Sequence, residues 1–291
     1  YLLTFGGNNG KRMTPEASLS EPDAFRPSWF RGREFEEEEV NSIMNSGLKW
    51  FGKRLVANAG SASSIAYTRK LHGLVQTEPV LYRVQVAGSS EVAHGFTIRD
   101  GERELGSISL STVNFNSDTD DVAKISGVRE FFGTGRLADE RSTITLTYSA
   151  TSAESSRGGY VDYVEWLYAR RFEPLGDELL FSAPDTTAVI EFVLNGYTTS
   201  DVYVYDITDH QNVLKMDGLS VSGGTIRFQV MNTAGRPRQF LAVAAPALKS
   251  LAAPSTIPNS GLTAANGAEF LIITNETMYP AAQRLKAHRE R

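Results

Sequence analysis

The sequence contains no cysteine, and this absence excludes disulfides, thiolate metal sites and a cysteine nucleophile within its 291 residues. A basic stripe is also lacking. The formal net charge is -5, spread without long blocks of one sign, which argues against a nucleic-acid or anionic-membrane partner. No apolar run approaches the roughly 20 residues that span a bilayer, and no signal peptide is visible.

The length of 291 residues is enough for about two domains, and apolar residues, at 41% of the chain, are plentiful enough to form real cores. The first part, residues 1–73, is predicted to be irregular with one helix. Its prolines predict an extended path, and the helix is expected at about residues 35–45. Its apolar face would comprise Phe35, Val40, Ile43 and Met44, and Ser46-Gly47 would end it. The chain begins with Tyr1 rather than Met, so we expect its natural start to lie upstream.

Residues 74–174 show the period of two that is typical of half-buried strands. Apolar and polar residues alternate over residues 81–86 and 142–148, and residues 160–172 form a longer aromatic stretch. Asp100-Gly101 carries the signature of a tight hairpin. Several strands separated by turn residues predict a β-sandwich of jelly-roll type.

Residues 175–250 predict a second, smaller β-sandwich, because short strand patterns alternate there with turn residues. The patterns cover residues 179–181, 188–194, 202–207, 213–216, 225–230 and 239–244. Residues 251–267 are rich in Ala, Pro, Ser, Asn and Gly and are predicted to be a linker. The expected fold class is therefore mostly β, with two β-sandwiches.

The last part, residues 268–291, differs from the rest. Residues 269–274 form a continuous apolar stretch, which is typical of a strand buried on both faces of a parallel sheet. A helix is predicted from about Pro280 to Arg291. Strand, loop and helix are the first half of a βαβ unit, so we expect the chain to stop just inside an α/β domain.

Several of these segments resemble the gingipain-type cysteine peptidase family, and within it the PorU-like sortase proteins of type IX secretion. The last part resembles the opening of the peptidase domain, and the upstream matches resemble the β domains that precede it. The segments are Glu269-Phe270-Leu271-Ile272-Ile273-Thr274 with Tyr279-Pro280-Ala281-Ala282-Gln283-Arg284-Leu285 and His288-Arg289-Glu290-Arg291, residues 162–171, 181–184 and 202–208, and Ser46-Gly47 with Trp50-Phe51-Gly52.

The resemblance implies a parent protein with a Cys–His pair in an α/β fold, and those two residues would lie downstream of Arg291. This chain would then be a non-catalytic accessory β region that scaffolds or positions the peptidase domain of the same polypeptide. The family also implies an exported bacterial protein at the cell surface, the outer membrane or the periplasm, with secretion-system or cell-surface components as further partners. No catalytic or cofactor-binding residue is predicted within the chain.

Catalytic constellations find little support in the residues themselves. No Gly-x-Ser-x-Gly motif occurs. Asp162 and Glu165 lie three positions apart, so on a regular strand they point to opposite faces, and an ion pair or a solvated edge is favoured over a glycosidase pair. The histidines lack the short spacing of metal ligands and are interpreted as surface or turn residues; they are His72, His94, His210 and His288.

One metal hypothesis is a calcium loop over residues 114–121, which concentrate the hard oxygen ligands that Ca²⁺ prefers. The candidate ligands are Asn114, Asn116, Asp118, Asp120 and Asp121. Their spacing does not match an EF-hand, and the same residue types favour ordinary loops. Both interpretations stay open.

A rival function combines this loop with the aromatic stretch. On a regular strand four of its rings would share one face, either as sandwich core or as a sugar-stacking platform. The four are Tyr160, Trp166, Tyr168 and Phe172. Core is the favoured interpretation, and the alternative function is a stand-alone carbohydrate- or surface-binding module stabilised by calcium.

Overall fold

A computed structural model describes residues 10–44, 47–57, 62–117, 121–152, 158–250, 253, 255, 267 and 270–290. The described residues up to Lys249 form one compact unit, and those from Ser250 onward form a second. The strands of the first unit are β1 (Thr14–Ala17), β2 (Phe30–Glu37), β3 (Arg54–Leu55), β4 (Ser63–Lys70), β5 (Val80–Ser89), β6 (His94–Asp100), β7 (Arg103–Leu110), β8 (Lys124–Ile125), β9 (Arg129–Gly133), β10 (Arg141–Ala150), β11 (Gly158–Arg170), β12 (Glu178–Ser182), β13 (Ala188–Leu194), β14 (Val202–Asp206), β15 (Leu214–Asp217), β16 (Ser220–Ser222), β17 (Thr225–Asn232) and β18 (Gln239–Ala244). The predicted mostly β fold class is confirmed.

Two sheets enclose the first hydrophobic core. One has the strand order β4-β10-β6-β7, and the other has the order β2-β11-β5-β8, with β9 also pairing with β5 and β3 with β11. The alternation seen in the sequence explains this arrangement, because every second side chain of β5 and β10 is buried in the shared core. The predicted hairpin is confirmed between β6 and β7, where Gly101 adopts a φ of 56°.

A buried polar network joins these two sheets. Ser142 on β10 donates a hydrogen bond to Asp100 Oδ1 at 3.1 Å and accepts one from Trp166 Nε1 on β11 at 2.9 Å. Tyr82 on β5 donates its hydroxyl to the other oxygen of Asp100. Burial, together with this carboxylate, raises the pKa of Tyr82. The network lets Trp166 and Tyr82 lie fully buried with their polar atoms paired.

Phenylalanine rings dominate the second core, which is enclosed by the sheets β1-β15-β14-β18-β12 and β13-β17-β16. Phe181 stacks on Phe240 with ring centroids 5.4 Å apart and meets Phe192 edge-on at 5.1 Å. Phe30 and Phe172, at the ends of β2 and β11, also pack into this core. All the predicted strands of this region are confirmed, and the short β16 was not predicted.

The helix predicted at about residues 35–45 is wrong. Residues 30–37 form β2, which pairs antiparallel with β11, and no helix occurs among the described residues before position 74. Glu36 forms an ion pair with Arg69 of β4, and Arg33 forms one with Glu165 of β11. The charges of this segment therefore find partners on β4 of the other sheet and on the neighbouring strand β11. Strand pairing outweighs a short helical spacing of apolar residues.

The N-terminal segment contributes to both sandwiches. Strand β1 pairs in parallel with β15, and Phe25 forms a bridge with Ile190 of β13. Arg238, at the start of β18, binds both Glu16 of β1 and Asp206 of β14. Strand β4 pairs with β10 in the first sandwich. The boundary predicted between residues 73 and 74 thus separates β4 from its partner strand.

The described part of the C-terminal unit contains the predicted helix, which runs over Tyr279–Arg289 (α1). The strand predicted at residues 269–274 is wrong for its described members, because residues 270–274 form no strand. A strand needs a neighbour to satisfy its backbone groups, and no described residue supplies one. Glu269 and nearly all of the predicted linker 251–267 lie outside the described residues. Across the described chain, no helix combines the length and apolarity needed to cross a membrane.

Candidate functional site

The histidines of the first unit lie apart from one another. His72 and His210 occupy separate turns, but His94 is buried at the start of β6, so the surface-or-turn interpretation is wrong for it. Its Nδ1 donates to the carbonyl of Val92 at 2.9 Å, and its buried Nε2, next to Gly88, has no partner among the described residues. Within the described chain, no three histidine or carboxylate side chains lie close enough to hold a metal ion.

The predicted calcium loop is described only in part, since Asp118 and Asp120 lie outside the described residues. Asn114 Oδ1 accepts a hydrogen bond from the backbone N–H of Asn116 at 3.0 Å. Asp121 forms an ion pair with Lys124 at 3.2 Å. Such local contacts are those that Asn and Asp make in ordinary loops, so calcium binding here stays a prediction.

A β-bulge in β11 changes which face its rings occupy. Val161 lies opposite Val86 of β5 and Tyr163 lies opposite Gln85, so Asp162 is the extra residue. Side chains before the bulge are therefore out of step with those after it. Trp166 belongs to the first core, whereas Tyr160 packs outside it against Phe51 and Ala87. The prediction that Tyr160 and Trp166 share one face is wrong for this reason.

The core interpretation of the aromatic stretch is nevertheless confirmed. Trp166 and Tyr168 are buried in the first core, and Phe172 is buried in the second. Burial raises the pKa of Tyr168 to about 12. Because these rings face other side chains and not solvent, they do not form the sugar-stacking platform considered from the sequence.

Asp162 and Glu165 are both engaged in ion pairs, as the sequence favoured. Lys49 Nζ lies 2.8 Å from Asp162. Glu165 binds Arg33 and lies 3.7 Å from Arg83 Nη1. Both carboxylates are buried, and loss of one cation would leave an uncompensated buried charge. Neither side chain is therefore free to act in a glycosidase pair.

The carboxylates of Asp162 and Glu165 also shift the pKa values of neighbouring side chains on the outer face of this sheet. Burial, followed by the nearby charges of Asp162 and Glu39, raises the pKa of Glu37. Burial and the Glu165 charge raise the pKa of Tyr163, whose ring stacks on Phe35 at 5.3 Å. The buried charges of Asp162 and Glu165 are matched by internal partners, which indicates a structural role for these two side chains.

The other half of the same face carries an aromatic groove that the sequence analysis did not predict. Trp29, directly before β2, and Phe132 on β9 form its walls and are 38% and 62% exposed. Phe132 lies opposite Leu81, which lies opposite Leu167, so all three point to the same outer face. We call this cleft the outer groove; its lining includes Trp29, Arg31, Glu78, Leu81, Phe132 and Leu167.

Two charged side chains of the outer groove differ from their charged neighbours in their ion pairing. Arg31 and Glu78 have no ion-pair partner within the part of the chain that the structure describes, whereas Arg33 and Arg83 on the same face are paired. One sequence signal could have found the groove. Consecutive Phe131 and Phe132 on a strand must face opposite sides, and Phe131 packs against the first core.

Comparison with solved structures finds an architecture that spans most of this chain. It is the crystal structure of dimeric latent PorU from Porphyromonas gingivalis, with a TM-score of 0.61 and 13% sequence identity. The fold resembles part of PorU. The match covers 81% of this chain and 22% of the PorU chain, so this chain spans about a fifth of its neighbour's length. No family model matches the sequence, and no curated protein does. The likeness to PorU therefore concerns the fold.

Proposed function

We propose that this chain is a non-catalytic accessory β region of a gingipain-type cysteine peptidase or PorU-like secretion sortase. It would scaffold or position a peptidase domain that follows in the same polypeptide. The observation that carries this proposal is the likeness to PorU, which covers 81% of this chain but 22% of the PorU chain. A β region that matches a small share of a much longer protein is suited to work beside other domains.

The C-terminal unit supports the same proposal. Leu271 and Ile273, in a run of four consecutive apolar residues, are 75% and 88% exposed. Such a run is typical of a strand buried on both faces of a parallel sheet, and its exposure leaves a large apolar surface uncovered. In the proposed parent protein this run becomes a sheet strand, and α1 packs against that sheet.

The proposal also assigns a location and partners. The parent protein is exported in a bacterium and works at the cell surface, at the outer membrane or in the periplasm. Its catalytic histidine and cysteine lie downstream of Arg291. Secretion-system or cell-surface components are its further partners, and the two sandwiches supply a rigid frame with loops exposed for contact.

Hydrogen–deuterium exchange tests this proposal. The amides of residues 271–273 are expected to exchange quickly in the present chain and slowly in the full-length natural protein, because a sheet partner protects them only there. Amides of β11 serve as the matched control and are expected to be protected in both proteins. Fast exchange of residues 271–273 in the full-length protein would contradict the proposal.

A further inference from the structure

The outer groove has dimensions that suit a narrow ligand. Strands β2 and β9 are separated by β11 and β5, so their backbones lie three inter-strand spacings apart, about 14 Å. Trp29 and Phe132 rise from these two sides over a floor formed by Leu81 and Leu167. The side chains narrow the gap to a cleft of about 170 Å³, a size that suits a single sugar-sized ring or a short stretch of extended chain.

The floor of the outer groove offers no backbone hydrogen bonds. Strand β11 is paired on both sides, with β2 and β5, and β5 is paired on both sides, with β11 and β9. A peptide cannot add here as a further strand, since that mode requires an open sheet edge. Recognition must therefore come from side chains alone.

The side chains present are those that a neutral, hydroxyl-rich ligand requires. Aromatic faces pack against the apolar faces of rings, and a few placed polar groups fix the ligand's orientation. Arg31 supplies hydrogen-bond donors and Glu78 supplies acceptors. Their charges cancel, and the neighbouring Arg33 and Arg83 are already neutralised by Glu165 and Glu130. This balance favours an uncharged ligand over an anionic or a cationic one.

From these contacts we infer that the outer groove is a binding site for a neutral oligosaccharide, held between Trp29 and Phe132 and oriented by Arg31 and Glu78. The site lies on the first sandwich and involves no residue of the C-terminal unit. It is therefore independent of the proposed scaffolding function, and either can fail without the other. It also differs from the platform considered from the sequence, whose rings are buried.

Titration of the intact chain with a ligand panel tests the inference. The panel contains neutral glucan, mannan, galactan and N-acetylglucosamine oligomers, an acidic uronic-acid oligomer and a proline-rich peptide. Calorimetry measures affinity, and tryptophan fluorescence reports the groove. The chain has 3 tryptophans, of which Trp166 is fully buried and Trp50 does not line the groove. A ligand in the groove should change the emission of Trp29.

Three variants and one matched control localise the binding. Trp29→Ala, Phe132→Ala and Arg31→Met are each expected to weaken binding at least about tenfold, as central contacts do. Trp50→Ala is the control, because Trp50 is 41% exposed, close to the 38% of Trp29, and its substitution should change affinity less than about twofold. Circular dichroism melting confirms that each variant is folded, and the exposed Arg31 gives a variant that leaves the packing of the walls intact.

Saturable binding of a neutral oligosaccharide, lost in the three groove variants and kept in the control, is the expected result. The inference is overturned if no neutral oligomer binds at up to about 10 mM, a concentration that detects even weak sites. It is also overturned if the groove variants bind as well as the control does. Preferential binding of the acidic oligomer or of the proline-rich peptide would likewise overturn it, because the groove would then serve another ligand class.

Discussion

Ser142 is the residue on which the polar network of the first sandwich depends. Replacing it with alanine removes the acceptor of Trp166 Nε1 and a donor to Asp100. The indole N–H would then be buried without a partner. We expect Ser142→Ala to lower the free energy of unfolding by about 2 kcal/mol, measured by urea denaturation.

The matched control for this change is Ser107→Ala on β7, where the side chain is exposed. An exposed hydroxyl loses no buried partner, so its removal should change the free energy of unfolding by less than about 0.5 kcal/mol. If Ser142→Ala were as mild as Ser107→Ala, the network would not contribute as described.

Two buried tyrosines predict sensitivity to alkali. Burial raises the pKa of Tyr67, on β4, and of Tyr168, on β11, each to about 12, above the value of about 10 for an unfolded chain. The folded state thus favours the protonated phenol. The stability that this contributes is present below about pH 10 and is lost as the pH rises from about 10 to about 12.

Urea denaturation at about pH 9 and about pH 11 measures this loss, and the free energy of unfolding should be lower at the higher pH. In Tyr67→Phe the titrating group is absent, so the decrease between the two pH values should be smaller. A decrease of the same size in the variant and the parent chain would show that Tyr67 contributes nothing to it.

At the scale of elements, a largely buried arginine adds side-chain contacts to the backbone pairing that joins β1 to the second sandwich. Arg238 donates to Glu16 of β1 and to Asp206 of β14, and its side chain is 15% exposed. In Arg238→Met the buried Asp206 charge would lose its cation. We expect the free energy of unfolding to fall by about 3 kcal/mol, as is usual when one partner of a buried pair is removed.

Lys249→Met provides the control for this prediction. Lys249 lies 3.1 Å from Glu178, but its side chain is 83% exposed, and exposed pairs contribute less than about 1 kcal/mol. Chemical denaturation of both variants should therefore separate them clearly. Equal losses in the two would mean that Arg238 behaves as a surface residue.

The elements that the sequence predicted well are those whose pattern is local. The alternation in β5 and β10 and the Asp100-Gly101 turn each fall within a few residues, so the strands and the hairpin could be read directly. Strand β2 could not, because its charges find their partners Arg69 and Glu165 far along the chain. The bulge at Asp162 likewise becomes visible only from the register with β5.

The candidate site shows the same limit. Candidate calcium ligands that are close in sequence, such as Asn114 and Asn116, can be identified from the sequence alone. The outer groove cannot be identified in this way, because Trp29 and Phe132 come to one face only through the pairing of β2, β11, β5 and β9. A binding surface formed across a sheet has no signature within any single segment.

At the scale of the whole molecule, side chains next to two strands of the first sandwich pack into the core of the second. Strands β2 and β11 belong to the first sandwich, yet Phe30, which begins β2, and Phe172, two residues after β11, are buried in the second core. The N-terminal segment adds β1 and the Phe25 bridge to the second sandwich before it enters the first. This shared packing couples the two sandwiches, which is the property that a scaffold for another domain requires.

We propose above that this β region serves a peptidase domain downstream in the same polypeptide. Reading the source gene beyond the codon for Arg291 tests it most directly. We expect the frame to continue into an α/β domain that contains a histidine and a cysteine placed to act together. A frame that stops shortly after Arg291 would contradict the claim.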